Sequence, residues 1–168
     1  LRLAVPADPV KDAELLRKHG FKPAPVYGSQ LQTAALPAAK PEADLVIDWE
    51  PVQETLGDGT VVELRKPEYR IENPNYGPMP ANLLVSPRVA PQMIGMGLLE
   101  AIPIADLEAL ADPEDTDNNG ISGKLNQVWD VASQQTLPGR FGWKAAEPDV
   151  HQQSMGAFAG DMGLTSSI

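Results

Sequence analysis

The chain has 168 residues with 23 Asp plus Glu against 13 Lys plus Arg, a formal net charge of -10 that leaves no electrostatic attraction for a phosphate backbone and excludes nucleic acid as a partner. Hydrophobic residues make up 42%, yet no apolar run approaches the roughly 20 residues a spanning helix needs, so no membrane span is expected. With zero cysteines the chain by itself cannot form disulfides, thiolate metal sites, iron-sulfur ligation or a thioether link to haem. At this length one compact unit is the default, and the 17 prolines and 14 glycines favour short elements joined by shaped loops. The sequence opens at Leu1 without a basic and then apolar leader, so a targeting peptide is expected to have been removed or not included.

Residues 1 to 43 are punctuated by Pro6, Pro9, Pro23, Pro25, Pro37 and Pro41, and only Asp12 to His19, closed by Gly20, reads as a helix. From Leu45 the period changes to two. Leu45, Ile47 and Trp49 fall on one face, Gly57-Asp58-Gly59 supplies a reversal, and Val62, Leu64, Tyr69 and Ile71 alternate on the return. This predicts a β-hairpin or three-stranded meander over 45 to 72. In the stretch Pro91 to Ile102, Met93, Met96 and Leu99 recur at helical spacing, with Pro103 as the stop. Gly95 and Gly97 inside that helix imply close approach of a flat cofactor or a neighbouring helix. Ile104 to Ala111 reads as a second helix and Val150 to Phe158 as a third, with His151, Ser154 and Phe158 on one stripe. The expected fold class is α+β, divided into a Pro-rich and hairpin region over 1–85 and a helical region over 86–168, together one incomplete unit.

The strongest local signal is Asp115-Thr-Asp117-Asn-Asn119-Gly120-Ile121. Oxygen ligands at the first, third and fifth positions, a turn glycine at the sixth and a carbonyl at the seventh match calcium-loop geometry, because a hard cation of this size collects 6 to 8 oxygens. The twelfth position is Asn126 where an EF-hand needs a bidentate Glu, so a calcium loop of another kind is expected, its shell completed by Asp112, Glu114 or Asp130. The plain alternative is a solvated acidic turn, since Asp, Asn and Gly are ordinary turn formers. Against it, six acidic residues and no basic one lie between Asp106 and Asn119. His19 and His151 belong to no metal or triad motif and read as surface or cap residues. Met93, Met96, Met155 and Met162 are thioethers able to ligate haem iron, with core filling as the plain reading of each. Trp143, within Gly139-Arg-Phe-Gly-Trp-Lys144, is either a ring stacked on haem or a structural residue beside a glycine turn.

Several blocks occur in one order: Tyr27 to Leu31, Ser86 to Pro103, Ala109 to Gly123, Val128-Trp-Asp130, Gly139 to Ala145 and Gly160 to Ser166. Together they resemble the bacterial di-haem oxidoreductases, sometimes labelled thiol oxidoreductases, which are related to di-haem cytochrome c peroxidases. The resemblance is dense over 86 to 166 and thinner over 1 to 72. It implies an exported or periplasmic protein with two c-type haems in a cytochrome-c-like architecture, calcium near their junction, and peroxidase-like or electron-transfer activity. It implies that Arg88 and the Met93 to Leu99 helix, Met96 included, lie near one haem with Met162 as an axial ligand, beside Trp143 as the candidate ring from its own motif, and it adds to the calcium ligands Asp112, Asp115, Asp117, Asn119 and Ile121 no residue beyond the loop. The family attaches haem through two Cys-x-x-Cys-His motifs, which this sequence lacks, so the chain looks like the stretch between them. Its implied partners are the haem-bearing segments of the parent protein and an electron-donor protein, and alone it is expected to be inactive. The alternative is a non-catalytic exported calcium-binding interaction module.

Overall fold

The computed structural model describes residues 1–167. They divide into two compact units, one built from 1–5 and 23–85 and the other from 6–22 and 86–167. Among the described residues the first is built of strands and loops, and the second holds the four helices with a small antiparallel sheet, together an α+β composition.

In the first unit, β1 (Arg2–Ala4) pairs with β4 (Leu84–Ser86), and its other side meets residues 29–31 through Leu3 N–H donating to Ser29 O at 2.9 Å. Leu3, Val5, Ala24, Tyr27, Leu31 and Ala43 form the core, with Leu45, Ile71, Met79 and Leu83 packed on it. Tyr27 is buried whole and its hydroxyl donates to Gly77 O at 2.5 Å while accepting from Tyr76 N–H at 3.3 Å, so the 73–80 loop closes over a satisfied phenol.

The hairpin is β2 (Asp44–Thr55) and β3 (Val61–Glu72), antiparallel, with Leu45 opposite Ile71, Ile47 opposite Tyr69 and Trp49 opposite Pro67. The face assigned to Leu45, Ile47 and Trp49 therefore holds. The three-stranded alternative does not: Tyr69 and Ile71 continue the same strand through Pro67. Both strands of a two-stranded ribbon are edges, where a missing N–H is tolerated. Arg65 lies over the Trp49 ring at 4.9 Å, and Arg70 bridges Asp48 at 2.8 Å and also Glu72.

In the second unit, α1 (Ala13–His19) ends on Gly20 in the left-handed region at φ 72°, its N–H returning to Leu16 O, as the glycine stop requires. Lys22 Nζ pairs with Asp12 at 3.0 Å, and Arg17 stacks on Trp129 at 4.0 Å, joining α1 to β5 (Gln127–Asp130). β5 pairs with β6 (Gln135–Pro138), a short hairpin that no alternation in the sequence announces. The helix expected from Pro91 shrinks to α2 (Met96–Glu100), because Gly95 takes φ 76° and breaks the helical path upstream. Met93 consequently lies outside it. That φ, not a close neighbour, explains Gly95, while a Cβ on Gly97 would meet open space. After α3 (Ile104–Ala109), the last helix, α4 (Val150–Met162), runs a turn beyond Phe158 to Gly163, and Asp149 caps its start by accepting from Gln152 N–H at 2.7 Å. His151 and Phe158 are exposed, so their stripe is not the inner face; Gln152 faces inward, accepting from Val131 N–H at 2.8 Å and donating to Trp129 O at 3.0 Å.

The 139–147 loop folds on itself so tightly that a Cβ on Gly139 would fall 1.9 Å from Ala145 O, whereas Gly57 in the hairpin turn has nothing within 4 Å. Gly139→Ala is expected to lower the melting temperature of the second unit sharply, and Gly57→Ala to leave stability within about 0.5 kcal/mol of the parent, measured by thermal denaturation.

Candidate functional site

The acidic loop lies between two backbone pins. Asp112 and Gly123 form an isolated antiparallel bridge, with Asp112 N–H donating to Gly123 O at 3.0 Å. Within the closed segment Asp115 and Asn118 take left-handed φ values of 51° and 56°, and Gly120 one of 83°, so the chain coils rather than extends. The coil brings Asp112, Asp115 and Asp117 together, each offering a carboxylate oxygen within 4.8 Å of the other two. Asp112 and Asp115 are half-buried and Asp117 is exposed.

Backbone donors hold these carboxylates in place. Asp112 accepts from Thr116 N–H at 2.8 Å and from its hydroxyl at 3.1 Å, and Asp115 accepts from Gly120 N–H at 3.2 Å. Asp117 accepts from Asn119 N–H at 3.2 Å. The Thr116 N–H, more than any other group, holds the Asp112 carboxyl below its usual value. Among the described residues no Lys or Arg pairs with the three carboxylates. A hard divalent cation is the chemistry this donor set suits, since every side-chain donor is a carboxylate oxygen and water can fill the open side.

The other residues of the predicted shell are placed differently. Asn119 Oδ1 accepts from Ile121 N–H at 2.8 Å, so that oxygen is spent on the loop's own backbone, and Ile121 itself is exposed. Glu114 is exposed beside the trio. Asn126 turns its amide to Lys144 O at 3.1 Å and Ala145 O at 3.0 Å. Asp130 is buried in the β5–β6 turn, accepting from Ala132 N–H and Ser133 N–H at 3.1 Å each and from the Ser133 hydroxyl. Sequence spacing singled out Asp115 and Asp117; the Asp112–Gly123 bridge that brings in Asp112 has no local signature.

The residues expected at a haem all belong to the second unit. Arg88 is exposed, its Nε donating to Ser86 Oγ at 3.3 Å; Met93 precedes α2, Met96 opens it, and Met162 ends α4. Trp143 is exposed in the 139–147 loop. Around them, side chains that ordinarily seek cover do not find it: Ile94 is 83% exposed, Leu98 80%, Leu110 79% and Met162 64%. Exposed apolar side chains and thioethers of this kind are the chemistry that a flat apolar macrocycle would cover.

The family model described as "Di-haem oxidoreductase, putative peroxidase" matches residues 31–168. The chain belongs to the di-haem oxidoreductase family. No curated protein and no solved structure matches it. The match covers the acidic loop, the exposed apolar side chains and the hairpin alike. No helix among the described residues is long and apolar enough to cross a membrane.

The Asp130 turn carries a pH prediction. The Ser133 hydroxyl, ahead of the Ser133 and Ala132 N–H groups, draws the Asp130 carboxyl below its usual 3.8, against the opposing effect of burial. A depressed folded pKa stabilises the turn fully above the unfolded value and is lost as pH falls through the folded one. Trp129 fluorescence, reporting on the adjacent strand, is expected to hold steady down to about pH 4 and to change below it. Asp130→Ala should abolish that acid step and loosen the hairpin already at neutral pH.

Proposed function

We propose that this chain is the haem-facing segment, lying between two haem-attachment motifs, of an exported di-haem oxidoreductase with peroxidase-like or electron-transfer activity. Family membership supplies the chemistry, and the observation that supports the role is the uncovered apolar surface of the second unit. A compact chain of 18.0 kDa would leave about 8,000 Å² accessible, and two separately folded halves about 10,000 Å². This chain leaves 11925 Å². Among the described residues only eight hydrophobic ones are buried, two of them, Val128 and Phe141, in the second unit. Surface left open on this scale supports docking onto the haem and the segments that carry it.

Haem iron, when bound, supplies the one-electron chemistry. In this reading the chain's own residues shape its environment: Met93, Met96 and Met162 offer sulfur, the apolar side chains of α2 exclude water, Trp143 supplies an aromatic plane, and Arg88 a fixed positive charge. Gly97 permits close approach to α2, since the space where its side chain would stand is open. The zero cysteines require that attachment come from segments beyond this sequence. Because haem edges and donors must meet, an electron-donor protein is the expected partner.

We also assign calcium to the loop of Asp112, Asp115 and Asp117, with Asn119 and Ile121 contributing backbone or water-bridged oxygens. A bound cation would relieve three carboxylates held together without a counter-charge and stiffen the coil between its two pins.

Three outcomes test these assignments. The natively purified protein should show a Soret band and an intact mass above 18.0 kDa; no band at that mass would leave the calcium module as the function. Calcium titration by calorimetry should give a single saturable site, weakened about tenfold or more by Asp115→Asn with Asp117→Asn. Gly97→Ala should raise the stability of α2 by up to about 1 kcal/mol without haem yet reduce haem occupancy, whereas equal occupancy would remove α2 from the haem surface.

A further inference from the structure

The end of α2 is held by one side chain. In a continuing helix Leu99 O would pair with the N–H of residue 103, but that residue is Pro103 and has none. Leu99 O keeps only a long bond from Ile102 N–H at 3.4 Å, and Arg140 supplements it: its Nη1 lies 3.0 Å from Leu99 O and Glu100 O and 2.6 Å from Ile102 O, donating to all three. The arginine backbone is itself fixed, its N–H donating to Glu147 O at 2.8 Å. In the return direction Glu100 Oε1 accepts from Val150 N–H at 2.8 Å, at the first residue of α4. α2 is thus tied twice to the segment that leads into α4: a guanidinium from the 139–147 loop closes the C-terminus of α2, and a carboxylate from α2 holds the N-terminus of α4.

We propose that Arg140, acting through Glu100, is a positioning residue that sets Met96 and the exposed face of α2 relative to α4 and its terminal Met162, and thereby the surroundings of the haem. The inference rests on the haem-facing role proposed above. Guanidinium chemistry suits the task. It stays charged at every relevant pH, and the rigid guanidinium holds Nη1, whose two N–H groups are shared among three carbonyls, in a fixed place that a flexible lysine stem keeps only in part. Carbonyls at a helix C-terminus carry partial negative charge, so the cation is favoured there as well as the hydrogen bonds. Trp143 lies three residues along the same loop, so the segment that locks α2 also carries the aromatic ring assigned to the haem.

The test uses the full-length haem-loaded protein and its Arg140→Ala, Arg140→Lys and Glu100→Ala variants, read by hydrogen exchange, by the Soret and visible bands, and by the haem midpoint potential. Arg140→Ala should speed exchange about tenfold or more in the peptides covering 98–102 and 150–153, and should shift both the bands and the potential. Arg140→Lys should recover part of each change. Glu100→Ala should speed exchange at 150–153 and move the spectrum in the same direction. Unchanged exchange at both segments would overturn the lock itself. Faster exchange with an unaltered spectrum and potential would show a stabilising contact without a positioning role and overturn the proposal. Faster exchange in a protein that carries no haem at all would overturn the haem-facing role and, with it, the positioning of haem, while the lock remained. Should Arg140→Ala fail to accumulate, Arg140→Lys and Glu100→Ala decide the same outcomes by the same readouts.

Discussion

The constraint on which this fold depends is the supply of partners for backbone polar groups. With 17 prolines and 14 glycines in 168 residues, the elements are too short for ladders and helical turns to absorb most N–H and C=O groups, and an unpaired buried one is costly. Side chains take over the task. Tyr27 closes the 73–80 loop through Gly77 O, Gln152 ties α4 to Val131 N–H and Trp129 O, and Asn126 holds the carbonyls of Lys144 and Ala145. Arg140 and Asp130 do the same at a helix end and a hairpin turn. The loss of any of these polar residues would leave backbone groups without a protein partner, at most cost where the group is buried, as around Tyr27 and Asp130.

That division of labour decides what could be read from the sequence. Elements governed by local periodicity were legible: α1 with its Gly20 stop, and the hairpin whose period of two put Leu45, Ile47 and Trp49 on one face. Elements governed by tertiary hydrogen bonds were not. β5 and β6 are four residues each, and their turn is held by Asp130 rather than by an Asn-Gly signature. The periodicity of Met93, Met96 and Leu99 predicted a helix more than twice the true length because a 3.6-residue pattern carries no information about φ at Gly95. The stripe on α4 misled for a related reason: its inner face is marked by a glutamine that bonds backbone, not by apolar side chains.

The acidic loop shows the same limit on a smaller scale. Asp115 and Asp117 were visible through their spacing, because alternate residues in a tight turn converge. Asp112 joins them only through the bridge to Gly123, a pairing eleven residues apart that leaves no mark in composition. Conversely, Asn119 fits the spacing rule but uses its oxygen to turn the chain toward Ile121. A motif specifies residue types; which of them remain free for a ligand is settled by what the backbone takes first.

The same competition bears on the exposed apolar side chains of the second unit. The polar side chains of the second unit are spent inward on carbonyls and N–H groups, which leaves Ile94, Leu98, Leu110 and Met162 facing out. A unit organised this way is well ordered without being well covered: its hydrogen bonds fix the backbone, while the apolar area that would normally supply stability stays in water. Covering that area with a macrocycle and its carrier segments would add the missing hydrophobic stabilisation, in proportion to the apolar surface removed from water. In the proposed haem-facing role, cofactor binding would add stability to a second unit whose backbone is already ordered. A scaffold whose backbone is pinned beforehand by Arg140, Gln152 and Asp130 meets the cofactor with less conformational entropy left to lose.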